Sequence, residues 1–257
     1  MRILMIRHGD PDYEHDSLTE VGKKEAALLA EISEDLHMGD CFVSPLGRAQ
    51  ETASYSLKRL NRSAKTLDWL REFPAKLDIN GLEELQKAYP DTKIKDGLYI
   101  PRIVWDMVPS YYLTHPEYTD RNAWRESAVA KNSDIVPLYD KVTASLDELL
   151  SGYGYVRDGM LYRVERAGTD TITFFCHFGL SCVLLSHLMN VSPFSLWHGT
   201  VLAPTSVTEV ITEEREQGIS MFRAQRIGDV HHLLTGGRKP SFSARFCETY
   251  NDAGQRH

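Results

Sequence analysis

The chain begins Met1-Arg-Ile-Leu-Met-Ile-Arg-His-Gly-Asp10, and these ten residues restrict its fold more than any other stretch. Arg2 to Ile6 is mostly apolar and too short to be a helix, so it reads as a strand buried within a parallel sheet. The run stops at Arg7-His8-Gly9. In an open α/β sheet, ligands bind outside the carboxyl ends of the strands. A guanidinium and an imidazole at such an end mark the start of an anion site; the alternative is a surface Arg-His pair. Gly9 would let the backbone turn sharply and a ligand approach closely.

The strand-then-helix rhythm continues. Thr19 is placed to cap a helix from Glu20, with an acid in the first turn as the helix dipole prefers. Val21, Leu28, Leu29, Ile32 and Leu36 are its expected buried face. Cys41-Phe42-Val43 reads as a second strand. Ser44 and Pro45 then suit the N-cap and first position of a helix, placing Arg48 in its first turn beside free amides. Residues 64–69 read as a third strand. Residues 135–151 predict a helix, and residues 153–164 a hairpin around Asp158-Gly159. Thr171 to Cys176 is a β-prone run ending in His177-Phe178-Gly179, with helical spacing after it. Residues 205–211 and 219–225 predict a last, antiparallel pair. This pattern implies an α/β fold: a three-layer α/β/α sandwich whose sheet is mostly parallel, with an antiparallel edge strand.

Residues 74–134 break the rhythm. They are proline-enriched and carry Tyr99, Trp105, Tyr111, Tyr112, Tyr118 and Trp124. They read as an inserted cap over the mouth of the sheet, or simply as aromatics packing a small subdomain. From about residue 235 the chain reads as a polar tail. The 257 residues suit one domain with this insertion.

A net charge of −7 argues against nucleic acid or an anionic membrane as the main partner. An anionic substrate would therefore need a local cationic pocket. No apolar run approaches membrane-spanning length, and the N-terminus lacks a signal-peptide pattern. Cys41, Cys176, Cys182 and Cys247 show no CxxC spacing, which predicts reduced thiols and a cytoplasmic protein.

His8 and His177 each close a predicted strand. If those strands are neighbours, the two backbones lie about 4.8 Å apart and both imidazoles can meet one small group. Arg7 and Arg48 can join them, forming a cage suited to a phosphoryl group.

Arg7-His8-Gly9, the Ser44-Pro45-Leu46-Gly47-Arg48-Ala49-Gln50-Glu51-Thr52-Ala53 stretch, Leu18-Thr19-Glu20-Val21-Gly22 and the strand-terminal His177 together resemble the histidine phosphatase superfamily, in its phosphoglycerate-mutase-like branch. The match runs from residue 1 to about 227, with no motif in 74–134. The resemblance implies phosphomonoester hydrolysis through a phosphohistidine on His8, without metal or cofactor. Arg7, Arg48 and His177 would hold the phosphoryl oxygens, and Gly9, Asp10 and Phe178 would contact a small phosphorylated substrate. Glu72 matches the position of the branch's acid. Where some relatives continue Gly-aromatic-Glu-Gly, this chain reads Phe73-Pro74-Ala75-Lys76; Asp10 and Glu83 are weaker candidates for the acid.

Other readings compete. One is a phosphoglycerate mutase, disfavoured because no dedicated phosphoglycerate clamp is recognisable. Another is a non-catalytic domain that binds phosphorylated ligands, which would not need a nucleophile. Metal-dependent hydrolysis through His187, His198, His231 and His232 lacks a known ligand spacing. Cys176 as a nucleophile competes with its reading as a buried strand residue. Gly236-Gly237-Arg238-Lys239 could touch an anion, but reads better as a solvated turn.

Overall fold

Ile3, Leu4, Met5 and Ile6 are all essentially inaccessible to solvent, because helices cover both faces of the sheet they lie in. The computed structural model describes residues 1–242 together with Thr249 and Asn251. Eight strands form the sheet: β1 (Arg2–Arg7), β2 (Asp40–Val43), β3 (Lys65–Thr66), β4 (Tyr155–Asp158), β5 (Leu161–Val164), β6 (Thr171–Cys176), β7 (Val207–Glu216) and β8 (Ile219–Asp229). Their spatial order is β4-β5-β8-β7-β1-β6-β2-β3. β1, β6, β2 and β3 run parallel. The antiparallel side is broader than the single edge strand expected, comprising β7, β8, β5 and β4.

Alternate residues of β1 feed two cores. Leu4 and Ile6 pack with Leu29, Ala49 and Ala53 of helices α1 (Glu20–Glu31) and α2 (Gly47–Leu60). Ile3 and Met5 join the core of Leu146, Leu150, Val183 and Leu184 on α3 (Ile135–Gly152) and α4 (Phe178–Met189). Each such fully buried side chain contributes about 1.5–3 kcal/mol. The sheet is thus the middle of three layers, as expected.

Residues 74–134 form short elements, including strand pairs Lys76–Leu77 with Arg102–Ile103 and Ile94–Lys95 with Leu98–Tyr99. Their aromatics chiefly pack. Trp124 lies against Tyr139 of α3, and Tyr118 against Phe194 of α5 (Pro193–Gly199), at ring-centroid separations of 5.1 and 4.9 Å.

His198, also on α5, stacks on Tyr112 at 4.2 Å and 16°. Burial lowers its pKa to about 4. Protonation of the unfolded chain near pH 6.5 therefore precedes protonation of the folded one. His198 contributes its full stability above pH 6.5 and loses it as pH falls toward about 4. Relative to a His198→Phe variant, the urea midpoint of the wild type should fall progressively from pH 7 to 4 and then level off. A difference that stays constant with pH would refute this.

Four local expectations differ from what is observed. The third strand shrinks to Lys65–Thr66, followed by a 3-10 turn at Asp68–Leu70. α1 stops at Glu31 and buries Gly22, Glu25, Ala26, Leu29 and Ala30, leaving Val21 exposed; small residues let α1 approach its neighbours closely. The hairpin loop is Gly159-Met160, one residue later than expected, with Gly159 at φ 58°. α2 begins at Gly47, so Ser44 is not its cap.

Thr19 does cap α1, accepting from Gly22 N. The tail expected from about residue 235 lies largely outside the described residues, as does Cys247. Within them, Ser241 N donates to the fully buried Glu25. No helix among the described residues is long and apolar enough to cross a membrane.

Candidate active site

The register between β1 and β6 sets the site. Arg7 pairs with Cys176, so the next residues, His8 and His177, emerge together at the carboxyl end of adjacent parallel strands. Their ring centroids are 5.1 Å apart. A one-residue slip would separate them by about 3.3 Å more along the strand. Both are sealed from solvent, His8 at 2% and His177 at 0% exposure.

Each ring is held. His8 Nδ1 lies 2.7 Å from Gly9 O. A carbonyl only accepts, so Nδ1 carries the proton and Nε2 keeps its lone pair. The His177 Nε2 and Ser44 Oγ are hydrogen-bonded at 2.7 Å, and His177 Nδ1 is buried without a partner among the described residues. Burial, then Arg7, His177 and Arg48, push His8 well below its ordinary pKa, against a smaller opposing effect of the Gly9 carbonyl. Burial, then Arg48, Arg7 and Arg71, do the same to His177. Both imidazoles are therefore neutral at physiological pH.

Arg7 is itself buried and anchored by Nη1 donating to Leu202 O at 2.6 Å. Arg48 sits in the first turn of α2, as expected, but the amide of Gly47 beside it is not free. Asp16 occupies it. Gly9 proves necessary for a different reason from the expected sharp turn: a Cβ there would lie 2.8 Å from Gly22 O of α1. Gly9 N donates to Thr52 Oγ1, a bond that ties this loop to α2.

Glu72 follows the 3-10 turn after β3 and reaches the start of α4. It accepts from Phe73 N at 2.8 Å and Leu180 N at 3.0 Å, and from Gly179 N at 3.4 Å. It therefore supplies the cap that His177, the N-cap residue, does not. Burial raises its pKa, with the three amides and Arg7 pulling the other way. Trp105, from the inserted region, lies at the same place. A Cβ on Gly179 would sit 2.5 Å from Trp105 Cη2 and 2.9 Å from Glu72 Oε1, so only glycine lets these three groups meet.

The other candidates lie elsewhere or are engaged. The Asp10 carboxylate accepts from the Thr19 hydroxyl at 2.7 Å and its amide donates to Glu25, so Asp10 secures the start of α1. Phe178 is buried as the first residue of α4. Glu83 is exposed at the start of the short helix Glu83–Ala88. Burial pushes the Cys176 thiol up to about 12, leaving no thiolate to attack. His187 pairs with Asp147 and His232 with the Thr205 hydroxyl. Arg238 N closes a turn onto Leu233 O. Among the described residues, no three His, Cys, Asp or Glu side chains converge as metal ligands.

Sequence reasoning missed Ser44 as a partner of His177, Thr52, Asp16 and Trp105. A serine directly following a strand beside the His177 strand was a usable signal for Ser44; the others carry no local pattern.

Residues 3–97 match the sequence model of the histidine phosphatase superfamily (branch 1). No curated protein sequence matches the chain. Among solved structures, the mycobacterial glucosyl-3-phosphoglycerate phosphatase complexed with VO3 is similar at TM-score 0.52 and 20% identity, covering 88% of this chain and 98% of its own. A phosphoserine phosphatase mutant from Entamoeba histolytica, in complex with phosphoserine, is similar at TM-score 0.56 and 15% identity, covering 90% and 98%. The alpha-ribazole phosphatase from Shigella flexneri is similar at TM-score 0.51 and 17% identity, covering 90% and 97%. At these identities the likeness establishes the fold: a mixed α/β sandwich of the histidine phosphatase type.

Proposed function

We propose, from the histidine phosphatase fold and the match of residues 3–97 to that superfamily, that this protein is a phosphatase of small phosphomonoesters. The observation that carries the reading is the pairing of two buried, neutral imidazoles 5.1 Å apart with two arginines at one end of a parallel sheet. A cluster of that composition favours a dianionic phosphoryl group over any neutral ligand.

His8 Nε2 attacks phosphorus, and the bond to the leaving oxygen breaks in line with the new N–P bond. Arg7, Arg48 and His177 hold the remaining oxygens as charge builds on them. Glu72, its pKa raised by burial, gives its proton to the departing alkoxide. The resulting carboxylate then takes a proton from water as the water attacks the phosphohistidine, releasing phosphate and restoring both groups. The mechanism draws its positive charge from the arginines.

The relatives named above act on phosphorylated metabolites, and VO3 and phosphoserine are bound in two of those structures. This supports a small phosphorylated substrate here. A panel of phosphorylated metabolites assayed for phosphate release, with and without 2,3-bisphosphoglycerate, tests the reading. Phosphate release independent of the bisphosphate is expected. Isomerisation of phosphoglycerate that requires it would make the protein a mutase, and a panel without turnover would leave a phospho-ligand-binding domain.

A further inference from the structure

The hairpin formed by Pro11–Asp12 and Ser17–Leu18 folds its tip onto Arg48, and the contacts there are specific. Asp16 Oδ1 accepts from Arg48 Nη1 at 2.6 Å, and Asp16 Oδ2 accepts from Gly47 N at 2.6 Å. One carboxylate thus grips both the side chain and the start of the helix that carries it. The approach is close enough that a Cβ on Gly47 would lie 2.1 Å from Asp16 O. Tyr13 covers the guanidinium, its ring centroid 5.4 Å from Cζ. Asp16 adopts φ 47°, a left-handed conformation that a short polar residue tolerates but does not prefer.

A carboxylate inside an anion site needs an explanation, since it competes with the phosphoryl oxygens for the same cation. The geometry of the guanidinium supplies one. With Nη1 taken, its side edge, Nε with Nη2, is what remains for a bidentate contact. Nε is buried with no partner among the described residues. Arginine binds phosphate through such a pair of parallel N–H groups, and its long stem must be fixed for both to meet their oxygens.

We propose that Asp16 is a positioning residue: it holds Nη1 so that the Nε–Nη2 edge of Arg48 meets the phosphoryl group beside His8 and His177. The inference rests on the phosphatase reading and adds a residue to its machinery that touches no substrate. Two physical effects give it opposite signs of outcome. If Asp16 acts through its charge, removing it exposes more of the Arg48 charge and oxyanions bind more tightly. If it acts by orientation, Arg48 loses its aim and oxyanions bind more weakly despite the gain in net positive charge. Asp16 is 43% exposed at its side chain, so water screens the charge effect. Misplacement by about 1 Å can cost on the order of 10²-fold in rate. Orientation should win.

The test is calorimetric titration with vanadate, alongside kinetics on an aryl phosphate, for wild type, Asp16→Ala and Asp16→Asn. Asp16→Ala should bind vanadate about tenfold more weakly and lose about 10- to 100-fold in kcat/KM. Asp16→Asn, which keeps an acceptor for Gly47 N, should fall between. Thermal unfolding monitors the fold; if the alanine variant is unfolded at the assay temperature, the asparagine variant decides by the same criterion. Vanadate binding as tight as wild type, or tighter, overturns the inference while leaving the phosphatase reading intact. A wild type that neither binds vanadate nor hydrolyses any ester refutes that reading, and this inference with it.

Discussion

Replacing His8 with alanine should reduce phosphate release from an aryl phosphate by at least about four orders of magnitude, the scale on which loss of a nucleophile is felt. Oxyanion binding should survive within about tenfold, because Arg7, Arg48 and His177 stay where their own anchors hold them. Arg7 is fixed by Leu202 O and His177 by Ser44 Oγ, and neither contact involves His8. The separation of turnover from binding is what distinguishes a nucleophile from one more phosphate ligand. Rapid-quench trapping of acid-labile phosphoenzyme in the wild type, and its absence in the variant, checks the same point covalently. Appreciable turnover by the alanine variant would refute the assignment. The expected pH behaviour follows from the same surroundings. His8 is pushed well below its ordinary pKa by burial and by Arg7, so no activity should be lost on lowering the pH through 6.5, where an exposed histidine would become protonated.

Replacing Glu72 with glutamine should slow an alkyl phosphate by about 10² to 10⁴-fold, the usual worth of a general acid, and an aryl phosphate by much less. A phenoxide departs without help, whereas an alkoxide needs the proton. In the wild type, hydrolysis of the alkyl ester should decline as pH rises through the elevated pKa of Glu72, since the protonated acid is the active form. That alkaline limb should vanish in the variant. Glutamine can still accept from one of the amides at the start of α4, so the fold should survive, with a cost of about 0.5–2 kcal/mol from the weakened cap. Equal losses on both esters would remove Glu72 as the acid and leave it only as a cap.

Legibility followed the range of the forces involved. β1, α3, β6 and α4 could be read closely because each depends on a run of apolar residues with its own period, and Thr19 because capping is a contact within one helical turn. The strand expected over residues 64–69 shrinks to Lys65–Thr66 because its apolar neighbours Leu67, Trp69 and Leu70 spend their hydrophobicity on a 3-10 turn packed against the core. Ser44 was misread for the opposite reason. Its local grammar, serine before proline before a helix, was that of an N-cap, but its hydroxyl bonds His177 across the sheet. The same hydroxyl also accepts from Leu46 N at 3.2 Å, so the local bond persists while the helix itself starts two residues later than expected, at Gly47.

By itself the chain determined that two strands end in histidine at the same face of a parallel sheet and that arginines accompany them, because strand polarity and side-chain type are properties of consecutive residues. Only the tertiary structure decided how those groups are tuned. The 5.1 Å between the imidazoles comes from the register of β1 on β6. The neutrality of both rings comes from burial beneath helices contributed by distant segments. The hold of Asp16 on Arg48, and the meeting of Trp105 with Glu72 over Gly179, bring together residues that no periodicity links. Charge, burial and aim act through space, and space is what folding adds to the order of residues.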